Sequence, residues 1–125
     1  MKIFILKKRK DFIRAAQSIK SVTPSLILQA APSLSAKNKI LSDDCCYVGF
    51  TATKKLGKAN VRNRVKRRLR AIVAQTFPEL AIAKTDYVVI GRFKTATIPF
   101  ESLKSDMIRA LNEIVNLQKN KKEQC

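Results

Sequence analysis

YVGFTATKKLGKANVRNRVKRRLRAIV, from Tyr47 to Val73, changes periodicity partway along its length. Tyr47 to Thr53 is rich in β-branched and aromatic residues and predicts a strand. Gly49 within it predicts close approach by another backbone or side chain. Gly57 breaks the pattern. From Val61, the apolar residues Val61, Val65, Leu69, Ile72 and Val73 fall four, four, three and one apart, the spacing of one helical face. Pro78 marks the expected end of that helix. Tyr87 to Gly91, YVVIG, is a nearly continuous apolar run, as an interior strand requires. Strand, helix, strand reads as a βαβ crossover, for which the physical default is right-handed.

Toward the N-terminus, Asp11 to Gln17 predicts a short helix with Phe12, Ala15, Ala16 and Ile19 along one side, and Asp11 is placed to cap its start. Ser18 to Thr23 reads as a short strand interrupted by Pro24, and Leu26 to Ala31 as a strand of ordinary length. Ala31 to Asp44 reads as a loop. Toward the C-terminus, Ile98-Pro99 opens a last helix whose stripe is Leu103, Met107, Ala110, Leu111, Ile114 and Leu117. Lys119 to Cys125 is a polar, frayed tail. The expected fold is α+β, a two-layer α/β sandwich in the order αβββαβα with a sheet of about four strands. Residues 1–117 form one domain and 118–125 a polar C-terminal tail.

A chain of 125 residues suits one compact domain, and its 46% hydrophobic content argues against a disordered basic tail. Lys and Arg number 26 against 9 Asp and Glu, a net charge of +17. With no His, imidazole is excluded as general base and as metal ligand. Cys45 and Cys46 are adjacent and Cys125 is terminal, so no zinc-type spacing exists. Reduced thiols are the simplest reading, and with them a cytoplasmic protein. The patch IFIL near the N-terminus is too short for a secretion signal or a membrane span, and KKRK follows it at once.

The cations are clustered as well as numerous. Lys54, Lys55, Lys58, Arg62, Arg64, Lys66, Arg67, Arg68 and Arg70 lie within twenty residues, and no Asp or Glu falls between Asp44 and Glu79. On the helix, Arg62, Lys66 and Arg70 share one face, about 6 Å apart. That spacing is comparable with phosphate separation along a nucleic-acid strand. Arg64, Arg67 and Arg68 carry the charge around the outside, with Asn63 among them. Guanidinium binds phosphate bidentately. A merely solvated basic face is normally relieved by interspersed acids, and here there are none. Lys54, Lys55 and Lys58 stand with Gly57 in a loop before a helix N-terminus, which favours phosphate, although the P-loop spacing is missing. Phe12, Tyr47 and Phe50 are the candidate stacking surfaces for unpaired bases. Metal-dependent cleavage needs carboxylates beside the phosphate, and none lies in the basic region, so no side chain is assigned as catalytic and no protein metal site is expected.

KKLGKANVRNRVKRRLR, Lys54 to Arg70, resembles the signature of the protein subunit of bacterial ribonuclease P, including its RNR element at Arg62-Asn63-Arg64. LKKRKDF before it, YVGFTATKK leading into it and DYVVIGR after it resemble the same family in the same order, so the likeness covers nearly the whole chain. The resemblance implies removal of the 5′ leader from precursor tRNA by a ribonucleoprotein whose large RNA performs the hydrolysis with Mg²⁺. The small protein would bind that RNA, one protein per RNA, hold the leader and strengthen productive metal binding. It implies RNA-binding roles for Lys54, Lys55, Arg62, Asn63, Arg64, Lys66, Arg67, Arg68 and Arg70. Arg62, Asn63 and Lys66 fall on the leader side, and Arg67 and Arg70 on the catalytic RNA. Phe12 matches an aromatic lining the leader cleft, with Ile27 and Thr51 on its sheet floor. Ala16 and Gln29 stand where the family often has further aromatics, so leader binding should be more ionic. The resemblance also implies a left-handed crossover, against the physical default.

Without the resemblance, a structural RNA-binding protein of ribosomal or assembly type explains the same charge. A DNA-binding basic helix lacks a helix-turn-helix or zipper pattern beside it. A membrane-surface helix explains the apolar stripe less well than the strands that it must cover.

Overall fold

In a computed structural model of the protein, residues 2–33 and 45–123 are described, with side chains as far as Lys119. The elements are β1 (Lys2–Ile5), α1 (Arg9–Ala16), β2 (Ile19–Val22), β3 (Leu26–Pro32), β4 (Cys45–Thr51), α2 (Ala59–Leu80), β5 (Thr85–Gly91) and α3 (Phe100–Glu123). Short 3₁₀ turns at Lys54–Leu56 and Phe93–Ala96 precede α2 and α3. Most of the loop expected over 31–44, and Cys125, lie outside the described residues. Among those described, no helix is long and apolar enough to cross a membrane.

One five-stranded sheet runs in the order β1-β4-β5-β3-β2. β4 and β5 are parallel and joined through α2, so the expected crossover is present. β5 is the middle strand and is buried along nearly all its length, as its apolar run requires. The α+β class stands, with one strand more than the expected four. The addition is β1, which the four residues Lys2–Ile5 form by pairing parallel to β4. The Phe4 and Tyr47 rings lie 5.6 Å apart across that pair.

Period-two alternation divides the sheet into two faces. Leu26, Leu28, Val48, Tyr87 and Val89 meet Val65, Leu69, Ile72 and Phe77 of α2 and Leu103, Met107, Leu111 and Ile114 of α3 in the main core. Burial pushes the Tyr87 phenol upward, so it stays protonated while its oxygen accepts the Ile82 amide at 2.8 Å. The opposite face carries Ala31 and Val88, covered by α1 through Ala15, with Phe12, Tyr47 and Ile90 packed around them. The two-layer sandwich therefore gains a short helix on its far side.

Four expectations change in detail. α2 runs through Pro78 to Leu80, because a proline in the last turn removes only one backbone donor, and the Ala81 amide closes the end on the Phe77 carbonyl. Asp11 does not cap α1. Lys8 holds that position, and Asp11 is buried in the first turn beside Arg14. Ala16 is exposed and Ile19 belongs to β2, so the apolar side of α1 reduces to Phe12 and Ala15. At the other terminus, α3 continues past residue 117 to Glu123.

Candidate nucleic-acid interface

The apolar stripe of α2 fixes where its cations point. Val65, Leu69, Ile72 and Val73 are buried, so Asn63, Arg64, Arg67 and Arg70 stand exposed on the outer surface. Arg62 and Lys66 are half-buried at the border between helix and sheet. Among the described residues, the Arg62 Nε is buried with no hydrogen-bond partner. Lys54 and Lys55 are exposed in the turn that feeds the helix. That turn closes when the Gly57 amide donates to the Lys54 carbonyl, at a φ of 138° that glycine alone adopts without strain.

Two arginines of the row have partners inside the protein. The Arg70 guanidinium lies 5.9 Å from the centre of the Phe50 ring, a cation–π contact with the end of β4. Arg68 donates to the Thr95 carbonyl at 2.6 Å and the Ile98 carbonyl at 2.5 Å, fastening α2 to the turn before α3. Desolvation, and secondarily the Arg64 charge, lower its pKa. Sequence reasoning grouped Arg68 with the RNA-binding cations, yet two of its N–H groups hold the fold together.

On the opposite face the register sets side chains in rows beside α1, a surface here called the groove. Val22 pairs with Ile27, Ile27 with Ile90, and Ile90 with Thr51, so one row crosses four strands. In the next row Lys20, Gln29, Val88 and Gly49 lie side by side. Phe12 forms a wall, its ring seated on Gly49, where an added Cβ would fall inside the ring's van der Waals shell. Phe12, Ile27 and Thr51 thus share this face of the sheet. Ile90, Val22 and the Gly49 seat were missed as groove residues. Gln29 is on the same face, half-buried, and Ala16 is exposed on α1. Val65 packs against Gly91 at the end of β5, so the first turns of α2, bearing Arg62, Asn63 and Lys66, cross the groove's end of the sheet from behind.

Arg14 holds α1 in place. Its guanidinium pairs with Asp86 on β5, donates to the Pro32 carbonyl at 2.5 Å and lies 3.5 Å from Asp11. Ser33 donates a further 2.8 Å hydrogen bond to Asp86. Gly49→Ala should push the Phe12 ring off its seat and destabilise the protein by about 1–3 kcal/mol, measurable by denaturant unfolding.

Other described carboxylates are engaged on α3: Asp106 with Ser25 and Arg109, and Glu113 with Ser21. Among the described residues, no group of three or more His, Cys, Asp or Glu is placed to hold a metal ion.

Comparison with known proteins agrees with this arrangement. The profile of the family described as Ribonuclease P matches residues 2–115. A ribonuclease P protein component from Paramagnetospirillum magneticum is 50% identical over 115 residues, covering 91% of this chain and 84% of that one. One from Ruegeria pomeroyi is 39% identical over 113 residues, covering 90% and 86%. In fold, the chain is similar to the RNase P protein of Staphylococcus aureus, with a TM-score of 0.69 at 22% identity over 89% of this chain and 94% of that one. The Thermotoga maritima protein gives 0.66 at 21% identity, over 83% and 91%. With profile, relatives and fold in agreement around one basic helix, this chain belongs to the ribonuclease P protein component family.

Proposed function

We propose that the protein binds the catalytic RNA of ribonuclease P through the outer surface of α2 and the 5′ leader of precursor tRNA in the α1-side groove, and so assists endonucleolytic release of the mature tRNA 5′ end. The observation that carries this reading is a packed helix whose opening turns, Ala59 to Arg70, present an exposed side that is cationic and free of acids. Arg67, Arg70 and Arg64, with Lys54 and Lys55 before them, meet RNA phosphates. Arg62, Asn63 and Lys66 meet the leader, Asn63 exposed and Arg62 and Lys66 half-buried. Phe12, Ile27 and Thr51 give the leader an apolar bed. Phosphodiester hydrolysis is assigned to the RNA subunit with RNA-bound Mg²⁺. The protein's part is to neutralise charge and to position substrate. One protein per RNA, working in the cytoplasm, completes the reading.

Reconstitution tests it. With the cognate RNA at low Mg²⁺, the protein should increase precursor-tRNA cleavage, and a folded protein that gives no increase beside active RNA would refute the reading. A second expectation concerns Arg67→Ala combined with Arg70→Ala. Each lost phosphate contact should reduce the slope of log affinity against log salt by roughly 0.7 to 0.9. Folding should survive, because both side chains are exposed and the Arg70–Phe50 contact contributes only about 0.5–1 kcal/mol. Titration of RNA binding at several salt concentrations measures the slope.

A further inference from the structure

Phe93 is the most exposed of the large apolar side chains described, at 69%. It opens the 3₁₀ turn Phe93–Ala96, between Arg92 and Lys94. That turn is held on every side. Arg68 of α2 grips the Thr95 and Ile98 carbonyls. The Arg92 amide donates to the Thr95 hydroxyl at 2.9 Å, and the same hydroxyl donates to the Ser25 carbonyl. The Arg92 guanidinium reaches the Thr23 carbonyl at 2.9 Å. A mobile turn would fold an apolar ring inward, whereas a fixed one presents it to its surroundings at little further loss of conformational entropy.

We propose, building on the reading of α2 as an RNA-binding surface, that Phe93 is a stacking platform for an unpaired base of the catalytic RNA. Charge and continuity favour RNA over a protein partner. The ring is bracketed by Arg92 and Lys94, and its turn is fastened to the cationic helix at Arg68, beside Arg64. A flat ring among cations offers both what a nucleobase stacks on and what its phosphates seek. The turn is fastened to α2 at Arg68, in sequence between Arg67 and Arg70 that are assigned to the catalytic RNA, and Phe12 of the leader groove lies on the other face of the sheet, so the occupant is the catalytic RNA.

The test compares Phe93→Ala, Phe93→Leu and Phe93→Trp for binding to the cognate ribonuclease P RNA, with Arg67→Ala/Arg70→Ala as reference. Phe93→Ala should weaken binding about 5- to 150-fold, the range that loss of one base–aromatic stack produces, with an unchanged salt slope and unchanged thermal unfolding. Phe93→Leu should also weaken it, because an aliphatic side chain has no π-face, and Phe93→Trp should match or exceed the parent. Wild-type affinity in Phe93→Ala or Phe93→Leu would overturn the proposal, as would a loss seen only with leader-bearing precursor tRNA. If the arginine variant weakens binding and Phe93→Ala does not, the stack is refuted and the RNA-binding reading survives. If the parent itself ignores the RNA, both are refuted.

Discussion

Leu69→Asp should leave the protein unfolded, while Arg67→Asp, two residues earlier on the same helix, should fold and lose RNA affinity. Leu69 is fully buried between α2 and the sheet. An Asp there removes a large apolar side chain and places a carboxylate where no described side chain of the main core offers it a partner. The combined penalty exceeds about 4 kcal/mol, against a total stability of about 5–15 kcal/mol for a domain. Arg67 points into water, and reversing its charge disturbs no packing. Circular dichroism and thermal unfolding separate the two variants. A folded Leu69→Asp protein would mean that the faces of α2 have been assigned the wrong way round.

Arg14→Ala should be the second most damaging change, although Arg14 lies outside the basic helix. It removes the guanidinium from the fully buried Asp86 and from Asp11, 1% exposed, together with the bond to the Pro32 carbonyl. Breaking a buried ion pair from one side costs about 3–5 kcal/mol. Lysine should not restore it, because one ammonium group cannot span three acceptors set in different directions. Chemical denaturation measures the loss. In a background stable enough to remain folded, α1 should sit less firmly and Phe12 with it. Affinity for leader-bearing precursor tRNA should then fall, while the salt slope for the catalytic RNA stays where it was.

The strongest periodic signals were read correctly. α2 and β5 are long enough for their patterns to outweigh local noise, and the crossover between them followed directly. β1 was missed because four residues carry too little pattern, and its partner strand starts at Cys45, far along the chain. Asp11 resembled a cap because its tie, through Arg14 to Asp86, joins residues 72 positions apart, and sequence proximity favours the local explanation. Among the cations, composition identified a cluster but could not distinguish Arg68 from its neighbours, since the carbonyls of Thr95 and Ile98 meet it only after the chain has folded. In the groove, Ile90 lay hidden in a continuous apolar run, where an interior strand gives no clue to which side each residue takes.

The register of β3, β4 and β5 has an evolutionary corollary. Ile27, Ile90 and Thr51 look away from α2, while their chain neighbours Leu28, Val89 and Phe50 look toward it. Substitutions can therefore accumulate on one side of the sheet with little penalty on the other. Relatives can drift in the shape and polarity of that surface while inheriting the same helix-side packing unaltered.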